Sequence, residues 1–141
     1  MKNTTVLFDT NVVIDIIEKR KDFFPESKRV FDLCMDGFLT GFIAAQSIAD
    51  IFYILRKKYT AGQRKKLLRD MCDVFDVVGT GKEHVLSALS DDTFDDLEDC
   101  ILTKCAEDHD FDFIVSRDKE DFASSKISVV TPLELLKILT R

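Results

Sequence analysis
Val6-Leu7-Phe8-Asp9-Thr10-Asn11 decides how this chain is read. Three apolar strand formers end abruptly in an aspartate. Just beyond it Val12, Val13, Ile16 and Ile17 recur at helical spacing. In open α/β sheets, chemistry gathers outside the carboxyl ends of the strands. The order of residues alone puts Asp9 there. A single acid at such a place is first of all a helix cap. It becomes a metal ligand only if other carboxylates reach the same point.

Past Asn11 the alternation of strand and helix patterns continues. Lys19-Arg20-Lys21 closes the first helix with charges that suit its dipole. Pro25 opens a second, carrying Val30, Phe31 and Cys34 and stopping near Gly37. A short extended piece at 39–43 leads into a strongly apolar helix from Ala44 or Ser47 to about Tyr59, and Gly62 separates it from a basic-faced helix through Leu67, Leu68, Met71 and Cys72. Val74 to Val78 reads as a strand, 82–90 as a helix, and Asp96 to His109 as a helix stacking Leu97, Ile101 and Cys105. Phe113-Ile114-Val115 and Ile127 to Val130 are buried strands. Thr131-Pro132-Leu133-Glu134 opens the last helix with a cap, a proline at the first position and a capping-box glutamate. The pattern implies an α/β fold with a mainly parallel central sheet covered on both faces. Strand order is not contained in it.

At 141 residues the chain reads as one domain spanning 1–141. Phe is 12 and Trp 0, so phenylalanine supplies most aromatic packing. With Lys+Arg 20 against Asp+Glu 26 the net charge is −6, which argues against a broad basic nucleic-acid face. Any basic track is local, and a carboxylate cluster neutralised by divalent metal would account for part of the excess. Cys34, Cys72, Cys100 and Cys105 form no Cys-x-x-Cys pair and sit in apolar helical contexts, so all four are expected to be buried, reduced thiols. His84 and His109 lie in polar contexts and are expected to be exposed. No apolar run approaches a membrane span and no signal-type core opens the chain, so it reads as soluble and cytoplasmic.

Four acids could meet. Asp9 ends the first strand. Asp50 is the only charged residue between Ile43 and Leu55, where burial without a partner is expensive. In Asp95-Asp96-Leu97-Glu98-Asp99, Asp96 is a good N-cap and Asp99 falls at the third helical position, held rigidly toward the strand ends. Asp118 repeats the logic of Asp9: buried strand, short polar step, aspartate. Asp121 is a nearby, more solvent-facing competitor. Each has a bland reading as cap, dipole partner or turn residue. Together they offer what hard divalent cations want, clustered carboxylate oxygens. Such a centre hydrolyses phosphate esters without a nucleophilic side chain.

These residues resemble PIN-domain ribonucleases, close to the VapC-type toxins of toxin–antitoxin pairs. Leu7-Phe8-Asp9-Thr10-Asn11-Val12 is similar to the family's first motif and Gln46-Ser47-Ile48-Ala49-Asp50-Ile51 to its second, where the family usually has glutamate. Asp96-Leu97-Glu98-Asp99-Cys100-Ile101 resembles the Asp-x-Glu-Asp helix start of one branch, and Val115-Ser116-Arg117-Asp118 with Asp121-Phe122 resembles the fourth motif. Val129 to Glu134 resembles the strand and helix that end many members. The resemblance implies a PIN-like three-layer α/β/α sandwich, Mg²⁺- or Mn²⁺-dependent cleavage of single-stranded RNA, a homodimer, and an antitoxin partner. It implies that Asp9, Asp50, Asp99 and Asp118 form the catalytic and metal-binding set. Thr10, Asn11 and Ser116 would position water or a phosphate oxygen, and Asp96 would support from behind. RNA-facing cations would come from Arg117, Arg56-Lys57-Lys58 or Arg64-Lys65-Lys66, although most of the lysine-rich runs read as solvated helix surface.

The rivals are weaker. A haloacid-dehalogenase-type phosphotransferase needs a second acid two residues after Asp9, where this chain has Asn11. Gly79-Thr80-Gly81 lacks the third glycine of a dinucleotide site. The alternative of another class is a PIN-fold RNA- or protein-binding module without activity, favoured by Asp50 and the acidic charge.

Overall fold
The computed structural model describes residues 3–140. Met1 and Lys2, part of the stretch read for a signal-type core, and Arg141, the last residue of the 1–141 domain reading, lie outside the described residues. Among those described, no helix is long and apolar enough to cross a membrane.

Five parallel strands form one sheet in the order β3-β2-β1-β4-β5: β1 Thr4–Phe8, β2 Leu39–Ala44, β3 Asp76–Val78, β4 Phe113–Val115 and β5 Ser128–Val130. Seven helices connect and cover them: α1 Thr10–Glu18, α2 Phe24–Met35, α3 Ala45–Ile54, α4 Ala61–Val74, α5 Lys82–Leu89, α6 Leu97–Asp108 and α7 Pro132–Leu139. Single 3₁₀ turns lie at Leu55–Lys57 and Lys119–Phe122. The expected α/β class and mainly parallel sheet are both present.

β1 shows why the sheet is covered on both sides. Val6, Leu7 and Phe8 are completely buried, yet successive side chains of a strand point to opposite faces. Val6 and Phe8 join a cluster with Val12, Val13, Val30 and Ile51 from the helices of one face and with Phe75 just after α4. Leu7 joins Leu102, Cys105 and Ala106 of α6 on the other. Ile114 and Val115 divide between the two clusters in the same way.

The strand order has a functional consequence. From β1 the chain winds outward to β2 and β3, then returns across the sheet to β4 and β5. The reversal occurs between β1 and β2 on one side and β4 on the other. A crevice at the carboxyl ends of the strands beside such a reversal is the place where ligands bind in open α/β sheets.

Several expectations are corrected. The helix expected to run to about Tyr59 ends at Ile54 and tightens into the 3₁₀ turn. Val74 closes α4 rather than opening a strand, because its neighbours Leu68 and Met71 carry the apolar stripe one turn further. α1 stops at Glu18, with Lys19 in the left-handed region at φ 52°, so the basic run lies beyond the helix. Cys72 is exposed, whereas Cys34, Cys100 and Cys105 are buried; all four thiols are free. Burial pushes Cys34 up to about 12 and Cys105 up to about 11, so both stay protonated.

Candidate functional site
Asp9 combines its two possible roles. Its backbone N–H continues the β1–β4 ladder by donating to the Val115 carbonyl at 2.9 Å. Its Oδ1 accepts from the Thr10 N–H at 2.8 Å and so caps α1. Its Oδ2 accepts from the Ser116 hydroxyl at 2.8 Å. The cap thus holds the carboxylate at the end of the central strand instead of competing with that placement. Burial raises the Asp9 carboxyl above the usual range, opposed by the bonds from Ser116 and Thr10 and reinforced by Asp118 and Asp121.

Asp9, Thr10, Asp50, Glu98 and Asp99 line one cavity of about 310 Å³, with Tyr53 and Ile54 as its apolar wall. Three separate elements supply the acids. Asp9 comes from the end of β1, Asp50 from the middle of α3, and Glu98 and Asp99 from the first turn of α6. Asp96 caps that turn, its Oδ1 accepting from the Asp99 N–H at 3.0 Å. Thr103 anchors the next turn by donating to the Asp99 carbonyl at 2.8 Å.

Bringing these acids together has an electrostatic cost. Burial first, then the charges of Asp9 and Asp96, push Asp99 up to about 7. Glu98 is likewise pushed up to about 7, chiefly by its hydrogen bond with Asp50, then by burial. Carboxyls held neutral this far above their ordinary range are a cluster short of positive charge. Glu98 was not among the acids singled out from the sequence. Its signal was its place beside Asp99 in the same helical first turn. It reaches Asp50 and so adds a carboxylate where Asp50 is one methylene shorter than glutamate.

Asp118 sits at the side of this cavity rather than in its lining. It is exposed, and its Oδ2 accepts from the Asn11 side chain at 3.0 Å. Its backbone N–H donates to the Ser116 hydroxyl at 3.0 Å, and that hydroxyl in turn holds Asp9. Ser116 therefore ties the two strand-end acids together. Asn11 Oδ1 is buried and has no partner among the described residues. Asp121 is exposed, as expected.

The cations divide. Arg117 is committed to Asp15, a fully buried carboxylate on α1 that the sequence reading passed over: Arg117 Nε donates to its Oδ2 at 2.7 Å, and Arg20 approaches at 3.5 Å. Arg64 donates to the Phe52 carbonyl at 2.8 Å and Lys66 pairs with Asp70. Lys58 pairs with Glu18 at 2.6 Å. Arg56 lies 3.8 Å over the ring of Tyr53, the residue that walls the carboxylate cavity.

A second group of ligand-type side chains, Glu83, His84 and Asp108, lies at the far end of α6, about 13 Å along the helix from Asp99. His84 is buried, against expectation. Its Nδ1 accepts from the Gly81 N–H at 2.9 Å, so in the neutral ring Nε2 carries the proton and donates to Asp108 Oδ2 at 3.0 Å. That leaves no lone pair for a metal. The group is a latch between α5 and α6.

A PIN domain family model matches residues 5–120. Ribonuclease VapC1 of Aquifex aeolicus (strain VF5) is 28% identical over 141 residues, 95% of this chain and 94% of that protein. Among solved structures, PAE2754 from Pyrobaculum aerophilum is similar with a TM-score of 0.68 at 14% identity, covering 99% of this chain and 92% of that one. A toxin–antitoxin complex from Klebsiella pneumoniae contains a chain similar at TM-score 0.67 and 22% identity, covering 90% of this chain and 97% of its own. VapBC2 from Rickettsia felis, bound to a DNA fragment from its promoter, gives 0.67 at 13% identity, with the same coverages of 90% and 97%.

Proposed function
The chain belongs to the PIN domain family, and from that membership and the carboxylate cavity we propose that it is a divalent-metal-dependent endoribonuclease cutting single-stranded RNA, the toxin of a toxin–antitoxin pair. One observation carries the reading: Asp9, Asp50, Glu98 and Asp99 converge on a single cavity at the carboxyl end of the central strand. The name of the Aquifex relative supports ribonuclease activity, and the neighbours solved as toxin–antitoxin complexes support an antitoxin partner.

The donor set fits Mg²⁺ or Mn²⁺. It is all oxygen, it is crowded enough to keep Asp99 and Glu98 protonated up to about 7, and it contains no thiol or imidazole that would favour a softer ion. Asp9, Asp99 and Asp50 would hold the cation, with Glu98 beside Asp50 and Asp118 contributing from the rim. A divalent cation there supplies neutralisation of the phosphate charge and a water acidic enough to attack at neutral pH. The chain's own groups do the rest. Ser116 aims Asp9 through its hydrogen bond and opposes the rise that burial imposes on its carboxyl. Asn11 orients Asp118. Thr10 lines the cavity where a phosphate oxygen or water would sit. Arg56, presented on Tyr53, is the cation best placed to meet an RNA backbone. Leu86 and Leu89 on α5 and Leu97 on α6 are exposed and give a homodimer an apolar face, which light scattering tests.

Purified protein with Mn²⁺ is expected to cut RNA, and Asp9→Asn or Asp99→Asn to abolish both cutting and the Mn²⁺-induced rise in Tm. Equal cutting by the wild type and both variants would identify a contaminant. RNA binding retained without any cutting or metal-induced stabilisation would favour the inactive binding module.

A further inference from the structure
We propose that the cavity on the far side of Asp118 is a subsite for one unstacked nucleobase of the strand being cut. The nuclease reading above accounts for what brings the strand there; the chemistry of the cavity accounts for what it holds.

This cavity of about 340 Å³ lies between the link from α1 to α2, the end of β4 and the start of α7. That is within the size range of small-ligand sites. Phe23 and Arg117 make one part of its lining, with the guanidinium carbon 4.0 Å above the ring centroid. Pro132 and Leu133 add an apolar part. Phe23 and Leu133 are 39% and 46% exposed, large apolar groups left uncovered at the opening.

Arg117 is a poor anchor for a phosphate, because its charge is already met by the buried Asp15 carboxylate. What remains is a flat guanidinium fixed against an aromatic ring. Its Nη1 makes no hydrogen bond among the described residues. Aromatic rings and guanidinium planes are what splayed RNA bases stack on. Asp22 and Glu26 line the same cavity. Two carboxylates repel a second phosphate but accept hydrogen bonds from the N–H groups of a base edge. The Ser27 hydroxyl, fully buried in the lining, has no partner among the described residues. Asp118 lines this cavity as well and is tied through Ser116 to Asp9. A base seated here therefore neighbours the phosphate held at the acids, and its identity would bias which sites are cut.

The test uses EDTA-treated protein, followed by amide and arginine side-chain NMR signals. It is titrated with the four nucleoside 5′-monophosphates, and with ribose 5-phosphate and inorganic phosphate as controls. At least one nucleotide is expected to shift the signals of Phe23, Arg117 and Leu133 while both controls leave them in place. Phe23→Ala is expected to weaken binding about fivefold or more, the scale of one lost stacking partner, and Phe23→Tyr to restore it. Equal shifts with inorganic phosphate, no shift with any nucleotide, or unchanged binding by a folded Phe23→Ala variant would each overturn the subsite. Because no metal is present, the two readings fail separately. Nucleotide binding here without Mn²⁺-dependent cutting overturns the nuclease alone, and cutting without nucleotide-dependent shifts overturns the subsite alone.

Discussion

Asp15 is a buried carboxylate that ties two loops to α1. It has no exposure, and two arginines reach it from different segments, Arg117 after β4 and Arg20 after α1. Burial raises its carboxyl above the usual range and both guanidiniums pull it back. Asp15 stands four residues after Asn11, so the two share a face of α1. Asn11 holds Asp118 while Asp15 holds Arg117. The loop that carries Asp118 is thus gripped twice by one helix. Removing one partner of a buried ion pair costs about 3–5 kcal/mol, and the partial exposure of Arg117 argues for the lower end. Arg117→Leu is therefore expected to lower unfolding stability in urea by about 3 kcal/mol, and Asp15→Asn to lower the Mn²⁺-induced rise in Tm because Asp118 is no longer steadied. Asp9 and Asp99 were legible at this scale because each stands at a position that local rules define, a strand end and a helix first turn. Asp15 was not, since only tertiary packing gives it its partners, and Glu98, though in the same first turn as Asp99, gains its role only where packing brings it to Asp50.

At the scale of elements, close approach decides more than propensity. Gly41 on β2 pairs with Val6 of β1. A Cβ there would lie 2.7 Å from the Phe8 ring and 2.8 Å from that of Phe75, rings that pack on each other at 4.9 Å. Gly41→Ala is expected to destabilise by about 1–3 kcal/mol, the usual cost of overpacking, read as a lower urea midpoint with an unchanged slope. Thr60 offers a contrast away from the site. Its hydroxyl accepts from the Gln63 N–H while Gln63 returns a bond to the Thr60 N–H, a complete capping box on α4. Thr60→Ala is expected to lose about 1 kcal/mol with RNA cutting unchanged. The capping box at Thr131 was readable from sequence, because caps follow from spacing within four residues. The end of α4 was not readable, because Val74 suits either a helix or a strand and the core it packs against chose.

For the whole molecule, the crowded acids make stability depend on pH. Asp99 and Glu98, both raised to about 7, hold protons in the folded state that the unfolded chain has already released. Between about pH 4 and pH 7 the native state therefore binds more protons than the unfolded one, and stability falls as pH rises. Without metal, Tm is expected to decline from pH 5 to pH 8, while the stabilisation given by Mn²⁺ grows over the same range as protons stop competing for the carboxylates. A flat profile in EDTA would contradict the crowding of the acids. Glu134, lowered by the Thr131 backbone and by Lys119, acts only below its ordinary range and does not disturb this window. The alternation of strands and helices, the burial of the sheet on both faces and the strand-end position of Asp9 were all legible in the order of residues. These are set by periodicity, charge and capping within a few residues. Tertiary structure alone decided the strand order, and with it the reversal beside β1 that opens the crevice. It also decided that Asp50 meets Glu98, that Arg117 serves Asp15 before any ligand, and that Asp118 stands between two cavities. Those outcomes depend on which surfaces pack together between segments far apart in the chain, up to 107 residues for Asn11 and Asp118, and no local pattern encodes that.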